Sequence, residues 1–122
     1  MGSQQAPERR KHPRFDIDLP LEYRVLDAPQ AHGGLVINAS ESGLLVYSTK
    51  DMDIGTKLNI AVLFPQGFEL ANFEVFAEII WKDTVWIENR EVYHLGLRII
   101  RILDEEHQKL TQLLAEKREM EI

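Results

Sequence analysis

The sequence predicts a mainly β fold, a six- to seven-stranded antiparallel β-barrel followed by one C-terminal α-helix. Two observations predict it. Between Asp16 and Ile102, apolar and polar residues alternate in short segments that are separated by turn residues. After Ile102 the apolar period changes from two to the spacing of a helix. Several short strands followed by a single helix favour an antiparallel barrel or closed sandwich on which the helix packs.

The first half of the chain predicts three strands. Ile17 to Val25 alternates cleanly between apolar and polar residues, as a half-buried strand does. Asp27 to Gly34 contains one proline and two glycines and is therefore predicted to be a turn. Leu35 to Ile37 begins a second strand, which leads into the segment NASESG at positions 38–43. Leu44 to Ser48 forms the third predicted strand.

The second half predicts the remaining strands and the helix. Leu58 to Phe64 and Phe73 to Trp81 alternate again, and Tyr93 to Ile102 supplies a sixth or seventh strand. Trp81 falls on the inward parity of its strand and is predicted to be core, whereas Trp86 is expected to be exposed. The helix is predicted at about residues 104–118, with an acidic first turn and basic residues near its end.

Charge divides the chain into two predicted parts. The net charge is −6, yet residues 1–14 carry four basic side chains and one acidic one. The remaining 108 residues carry 10 basic and 19 acidic side chains. We therefore expect a flexible basic N-terminal arm over residues 1–15 and a barrel with its helix over residues 16–122.

The composition argues against several classes of protein. The chain has no cysteine, and its four histidines are scattered, so no metal site is expected. No nucleophile has an evident base, so we expect no catalysis. No apolar run approaches a membrane span and the N-terminus has no apolar signal segment, which makes the cytoplasm the expected location. A nucleic-acid-binding barrel is an alternative, but the acidic body argues against it.

The segment ERRKHPRF at positions 8–15 concentrates the positive charge. Pro13 biases His12 away from helix, so Arg10 and Arg14 belong to an extended or turning arm. A guanidinium can grip phosphate oxygens, pair with guanine O6 and N7, or stack on a base. Because the R-x-x-x-R spacing is common by chance, this spacing taken alone favours a solvated basic arm.

The segment NASESG has two interpretations of its own. Asn38 and Ser40 are short polar side chains that hydrogen-bond nearby backbone, and Gly43 permits positive φ or a close backbone approach. One interpretation is an ordinary hairpin turn. The other is a rigid loop at a strand end that presents an amide, a hydroxyl and backbone N–H groups to a ligand.

Taken together and in this order, R-x-x-x-R and N-x-S-x-x-G resemble the PilZ domain, a bacterial receptor module for cyclic di-GMP. The matching segments are RKHPR at positions 10–14 and NASESG at 38–43. The segment LGLR at positions 95–98 looks like the last strand of the family. The resemblance covers roughly residues 8–115, and it implies the split form of the barrel.

The resemblance also implies roles for six residues. Arg10 and Arg14 would hold phosphate and the guanine edge, while Asn38 and Ser40 would bond the other guanine face and Gly43 would let backbone approach. Arg9 directly precedes the first motif, which implies two stacked ligand molecules in the site. No cofactor or metal is implied besides this ligand.

Two functional hypotheses follow from the resemblance. In the first, cyclic di-GMP orders the N-terminal arm, and a protein partner reads the ordered arm or the helix. In the second, the chain is a PilZ-like adaptor that acts by protein contact without binding cyclic di-GMP. Glu8, at a position where relatives often carry Gln, favours the second hypothesis, and the complete pair of motifs favours the first.

Overall fold

The barrel is closed by six antiparallel strands, and one helix follows it. The computed structural model describes residues 12–120, of Met120 the backbone alone. The elements are β1 (Phe15–Val25), β2 (Ala31–Ala39), β3 (Gly43–Ser48), β4 (Lys57–Gln66), β5 (Glu69–Ile87), β6 (Arg90–Arg101) and α1 (Asp104–Met120). Their order around the ring is β1-β2-β3-β6-β5-β4, and β1 pairs with β4 to close it. The predicted mainly β barrel with a C-terminal helix is confirmed, with six strands. Of the predicted arm at residues 1–15, positions 1–11 lie outside the described residues, so the arm stays a prediction.

Alternation along the strands builds the core. Each strand turns one row of apolar side chains inward, and closure of the sheet packs those rows against each other. Tyr23, Val36, Val62 and Phe73 are among the side chains that this leaves almost inaccessible to water. The Tyr23 hydroxyl lies 2.8 Å from the Ser48 hydroxyl, which gives the buried phenol a polar partner inside the barrel.

Helix α1 packs on β1 and β5 through an apolar stripe and a few polar contacts. Leu110, Leu113 and Leu114 are its buried side chains, spaced so that they share one face. The Glu106 carboxylate accepts the backbone N–H of Glu74 at 2.8 Å, which ties the first half of the helix to β5. The helix therefore covers part of the barrel beside the start of β1.

The predicted turn over residues 27–34 is wrong in its second half. Ala31 to Gly34 belongs to β2, where Gly33 pairs with Glu22 and Gly34 with Leu21. The turn is confined to the residues just after β1, with Asp27 at a φ of 68°. Two adjacent glycines suggested a turn, but here they lie in the ladder.

Trp81 is 42% exposed, so its predicted place in the core is wrong. The β5–β6 register shifts between Ile79 and Trp81, and this extra residue moves Trp81 to the outer face, opposite Gly96. A Cβ on Gly96 would collide with the indole, so the ring lies directly over the glycine. Trp86 is 66% exposed, as expected.

Candidate ligand-binding site

The two sequence motifs meet at one end of the barrel. Arg14 immediately precedes β1, and Asn38 is the penultimate residue of β2. The pairing of these strands places Asp16 opposite Asn38 and Phe15 opposite Ala39. Arg14 Nη1 donates a hydrogen bond to Asn38 Oδ1 at 3.0 Å. Strand pairing thus joins two side chains that are 24 positions apart in the sequence.

Ser40 shapes the loop between β2 and β3 from the inside. The side chain is buried, and its Oγ accepts the backbone N–H groups of Ser42 and Gly43, each at 3.2 Å. The Ser40 N–H in turn donates to the Gly43 carbonyl at 2.9 Å. The hydroxyl therefore holds the tight conformation of the loop, in the manner of a Ser turn. A direct contact between Ser40 and a ligand stays a prediction.

Gly43 is required for close approach. It begins β3 opposite Arg98, and a Cβ at this position would lie 2.6 Å from the carbonyl oxygen of Leu97. The same Cβ would lie 4.0 Å from Arg14 Nη2. The glycines with positive φ in residues 12–120 are Gly55 and Gly67, so Gly43 serves by its lack of a side chain. Because Gly43 has no side chain, the space beside the Arg14 guanidinium stays open.

Arg9 and Arg10 lie outside the described residues, and their predicted roles stay predictions. The described part of the first motif begins at His12, which is half-buried, and continues through an exposed Pro13 to a half-buried Arg14. The structure therefore brings Arg14, Asn38 and Gly43 together, and Ser40 contacts Gly43 from inside the loop.

The site borders helix α1, which sequence reasoning did not associate with it. Glu41 Oε1 lies 3.4 Å from His107 Nε2 on the helix. The Arg118 guanidinium lies over the Phe15 ring at 5.5 Å, a cation–π arrangement next to Arg14. Phe15, Glu41 and Arg118, together with Pro13 and further residues of the helix, line a cavity of about 170 Å³. No sequence pattern indicated these contacts, because their partners are far apart in the chain.

Trp81 lies in the same row of the outer face as Asn38. The register places Asn38 opposite Leu45, Leu45 opposite Gly96, and Gly96 opposite Trp81. Two strand spacings, roughly 10 Å, separate Asn38 from the glycine under the indole. The bulge before Trp81 produces this alignment, and simple alternation therefore missed it.

The described residues offer neither a metal site nor a membrane span. No group of three or more potential ligand side chains is placed to hold a metal ion in residues 12–120. Within the same range, no helix is both long enough and apolar enough to cross a bilayer.

Comparison with solved structures shows the same fold in several bacterial proteins. The inhibitor of motility MotI/DgrA of Bacillus subtilis superposes with a TM-score of 0.73 at 18% identity, over 90% of this chain and 51% of that one. This chain thus spans about half the length of MotI/DgrA. The PilZ domain of Escherichia coli YcgR, solved with c-di-GMP, gives 0.67 at 15% identity over 92% of this chain and 93% of that chain. Borreliella burgdorferi PlzA, also solved in complex with c-di-GMP, gives 0.61 at 13% identity over 93% and 56% of the two chains.

Sequence comparison assigns the family. No curated protein sequence matches this chain closely enough to count as a relative. The profile of the PilZ domain, however, matches residues 8–116, nearly the whole sequence, and includes both motifs. With the six-stranded ring and the meeting of those motifs at its end, the match shows that the chain belongs to the PilZ domain family.

Proposed function

We propose that this chain is a receptor for cyclic di-GMP, which it binds at the end of the barrel where Arg14 meets Asn38. The hydrogen bond between these two side chains carries the proposal, because it joins the two motifs in one place. The structures of E. coli YcgR and B. burgdorferi PlzA with c-di-GMP support the choice of ligand.

The chemistry of the site suits a cyclic dinucleotide. The guanidinium of Arg14 provides several N–H donors, which match phosphate oxygens or the O6 and N7 acceptors of guanine. Asn38 adds an amide that both donates and accepts, so it can pair with the donor and acceptor groups of a guanine edge. Arg9 and Arg10 supply further positive charge for a ligand with two phosphates, and Arg9 favours two stacked ligand molecules. Gly43 leaves room for the ligand to reach the loop backbone.

The chain acts as a binding module and not as an enzyme. Arg14 and Phe15 already contact β2, so the ligand orders the part of the predicted arm that precedes them, and a protein partner reads the ordered surface. Two contacts favour helix α1 as part of that surface: Glu41 to His107, and Arg118 over Phe15. Both contacts join the helix to a residue directly next to Arg14 or Ser40. A ligand bound at the site would therefore be separated from the helix by a single side chain.

The alternative is an adaptor that makes protein contacts without ligand. Glu41 is exposed beside the site and adds negative charge where an anion would bind, and in the sequence Glu8 precedes the first motif as a further acidic residue. That observation favours weak or absent binding, and a titration separates the two functions.

Isothermal titration with cyclic di-GMP tests the proposal, with Arg14→Ala as the site variant and Arg90→Ala as its matched control. Arg90 is an exposed arginine at the opposite end of the barrel, so the control removes the same charge away from the site. We expect the wild type and Arg90→Ala to bind equally. Arg14→Ala should bind at least ~10-fold more weakly, because a hydrogen bond to a charged group contributes about 1.5–3 kcal/mol to binding.

The ligand-to-protein molar ratio at the midpoint of the titration also gives the stoichiometry, which tests the stacked pair. Chromatography of the ligand after the titration should return it intact, since no hydrolysis is expected. Absence of binding to the folded wild type would contradict receptor function and support the adaptor.

A further inference from the structure

The β5–β6 hairpin extends beyond the barrel and leaves one strand edge open. The ladder between β4 and β5 ends at the pair Lys57 and Glu78, and the loop before β4 bonds the backbone of Ile79. From Ile80 to Ile87, a segment called here the distal edge, β5 pairs within residues 12–120 only with β6. A two-residue loop with positive φ at Glu88 and Asn89 closes this hairpin, as in a type I′ turn.

The distal edge is mainly apolar, and its protection as an open edge is limited to the bulge at its start and the charge of Asp83. Ile80, Trp81, Trp86 and Ile87 are 41–66% exposed. Open edges are commonly protected by proline or by a lysine projecting into solvent. The distal edge contains no proline, and the Nζ of its lysine, Lys82, is held by Asp51 at 2.6 Å. An edge of this kind is a template for another strand.

We propose that a second copy of this chain occupies the distal edge, so that β5 pairs antiparallel with β5 of a partner across a two-fold axis. Local charge favours this occupant. The chain carries a net charge of −6, whereas the distal edge, with one lysine, one aspartate and the Asp51 carboxylate bonded to the lysine, carries only −1. Two copies can therefore meet here without bringing their acidic surfaces to the centre of the contact. The inference does not depend on cyclic di-GMP binding.

The side chains choose the register of the pairing. Directly opposed residues of an antiparallel pair lie on the same face, so a two-fold axis must pass through a residue opposed to its own copy. An axis at Asp83 would oppose two carboxylates, which is destabilising. An axis at Val85 would place Trp81 against the turn residue Asn89. An axis at Thr84 avoids both.

With the axis at Thr84, the large apolar side chains of the distal edge gain opposed partners, while Asp83 lies against the partner's Val85. On the outer face Trp81 lies against the partner's Ile87, and the same contact repeats on the other side of the axis. On the opposite face the aliphatic stem of Lys82, whose Nζ is bonded to Asp51, lies against the partner's Trp86. The result is a continuous four-stranded sheet, β6-β5-β5-β6, with an isologous interface.

Sedimentation of the full chain over a range of concentrations tests the dimer. We expect the wild type to reach twice the monomer mass and Ile87→Glu to remain monomeric, because its carboxylate would face the partner's Trp81. Phe68→Glu is the matched control, since Phe68 is fully exposed at the β4–β5 turn, outside the distal edge, and its variant should dimerise like the wild type.

A cysteine variant tests the register. The chain contains no cysteine, so Thr84→Cys introduces one thiol, which would face its own copy across the axis. Mild oxidation should link this variant into a dimer, whereas Glu69→Cys, at the other end of β5, should stay unlinked. A wild type that remains monomeric at every concentration would overturn the proposal, and so would a dimer that Phe68→Glu disrupts and Ile87→Glu does not.

Discussion

Gly43→Ala should lower stability, because β3 and β6 leave no space for a methyl group at this position. The added Cβ would lie 2.6 Å from the Leu97 carbonyl oxygen, and that atom belongs to the backbone of a central strand. Relief to a tolerable 3.0 Å or more requires β3 to move away from β6. Forced shifts of this kind cost about 1–3 kcal/mol in packed regions, so we expect a loss of that size in the free energy of unfolding.

Urea unfolding measures the effect, and Gly33→Ala is its matched control. Gly33 is also a strand glycine, but a Cβ there would meet nothing within 4 Å. Because alanine restricts the unfolded chain more than glycine does, the control should be neutral or up to about 1 kcal/mol more stable. The urea midpoint should fall for Gly43→Ala and not for Gly33→Ala. Equal midpoints for Gly43→Ala and the wild type would refute the close-approach argument.

The same substitution should weaken the proposed ligand binding. The new methyl group would lie 4.0 Å from Arg14 Nη2, and movement of β3 would shift the loop that contains Ser40. Titration with cyclic di-GMP under conditions where the variant is fully folded separates this effect from unfolding. Unchanged affinity in the folded variant would show that the ligand does not use this part of the loop.

Two further predictions concern buried hydroxyl groups. Ser40→Ala removes the acceptor of two backbone N–H groups, so the free energy of unfolding in urea should fall by about 1–3 kcal/mol even without ligand. Weaker ligand binding with unchanged stability would instead assign Ser40 a direct ligand contact. Burial raises the pKa of Tyr23 above its usual 10.0, so the fold favours the neutral phenol. The contribution of the neutral Tyr23 phenol to stability is complete below the pKa of tyrosine in the unfolded chain. It is lost as the pH rises through the higher pKa of Tyr23 in the folded protein. The free energy of unfolding should therefore fall above about pH 10, with a smaller slope in Tyr23→Phe, and equal slopes in the two proteins would contradict this assignment.

The fold was predictable from sequence wherever alternation is uninterrupted. The strands around Tyr23, Val62 and Val75 and the helix after Ile102 follow directly from the apolar period. Register shifts defeat that reasoning, because one extra residue reverses the inward and outward faces for the rest of the strand. Trp81 was misplaced for this reason, and the glycines before Leu35 were misplaced because pairing with β1 outweighs their turn propensity.

The candidate site was predictable only as far as its motifs. The motifs indicated Arg14, Asn38 and Gly43, and strand pairing explains why they meet. The internal role of Ser40 depends on the shape of a loop that spacing does not specify. The contact of Glu41 with His107 joins residues from distant parts of the chain, and no local pattern encodes it.

The bond between Arg14 and Asn38 lies at the barrel's end, outside the apolar core, whereas Gly43 is held between two strands of the ring. The fold therefore tolerates substitution of Arg14 better than substitution of Gly43. Under the proposed function, a descendant of this chain could replace Arg14 and lose cyclic di-GMP binding while folding as before, but replacing Gly43 would damage both binding and folding. Relatives that no longer bind ligand and act by protein contact alone should then keep the glycine after the arginine has been replaced. Under the proposed function, the glycine would therefore mark membership of the fold, and the arginine would mark the members that still bind cyclic di-GMP.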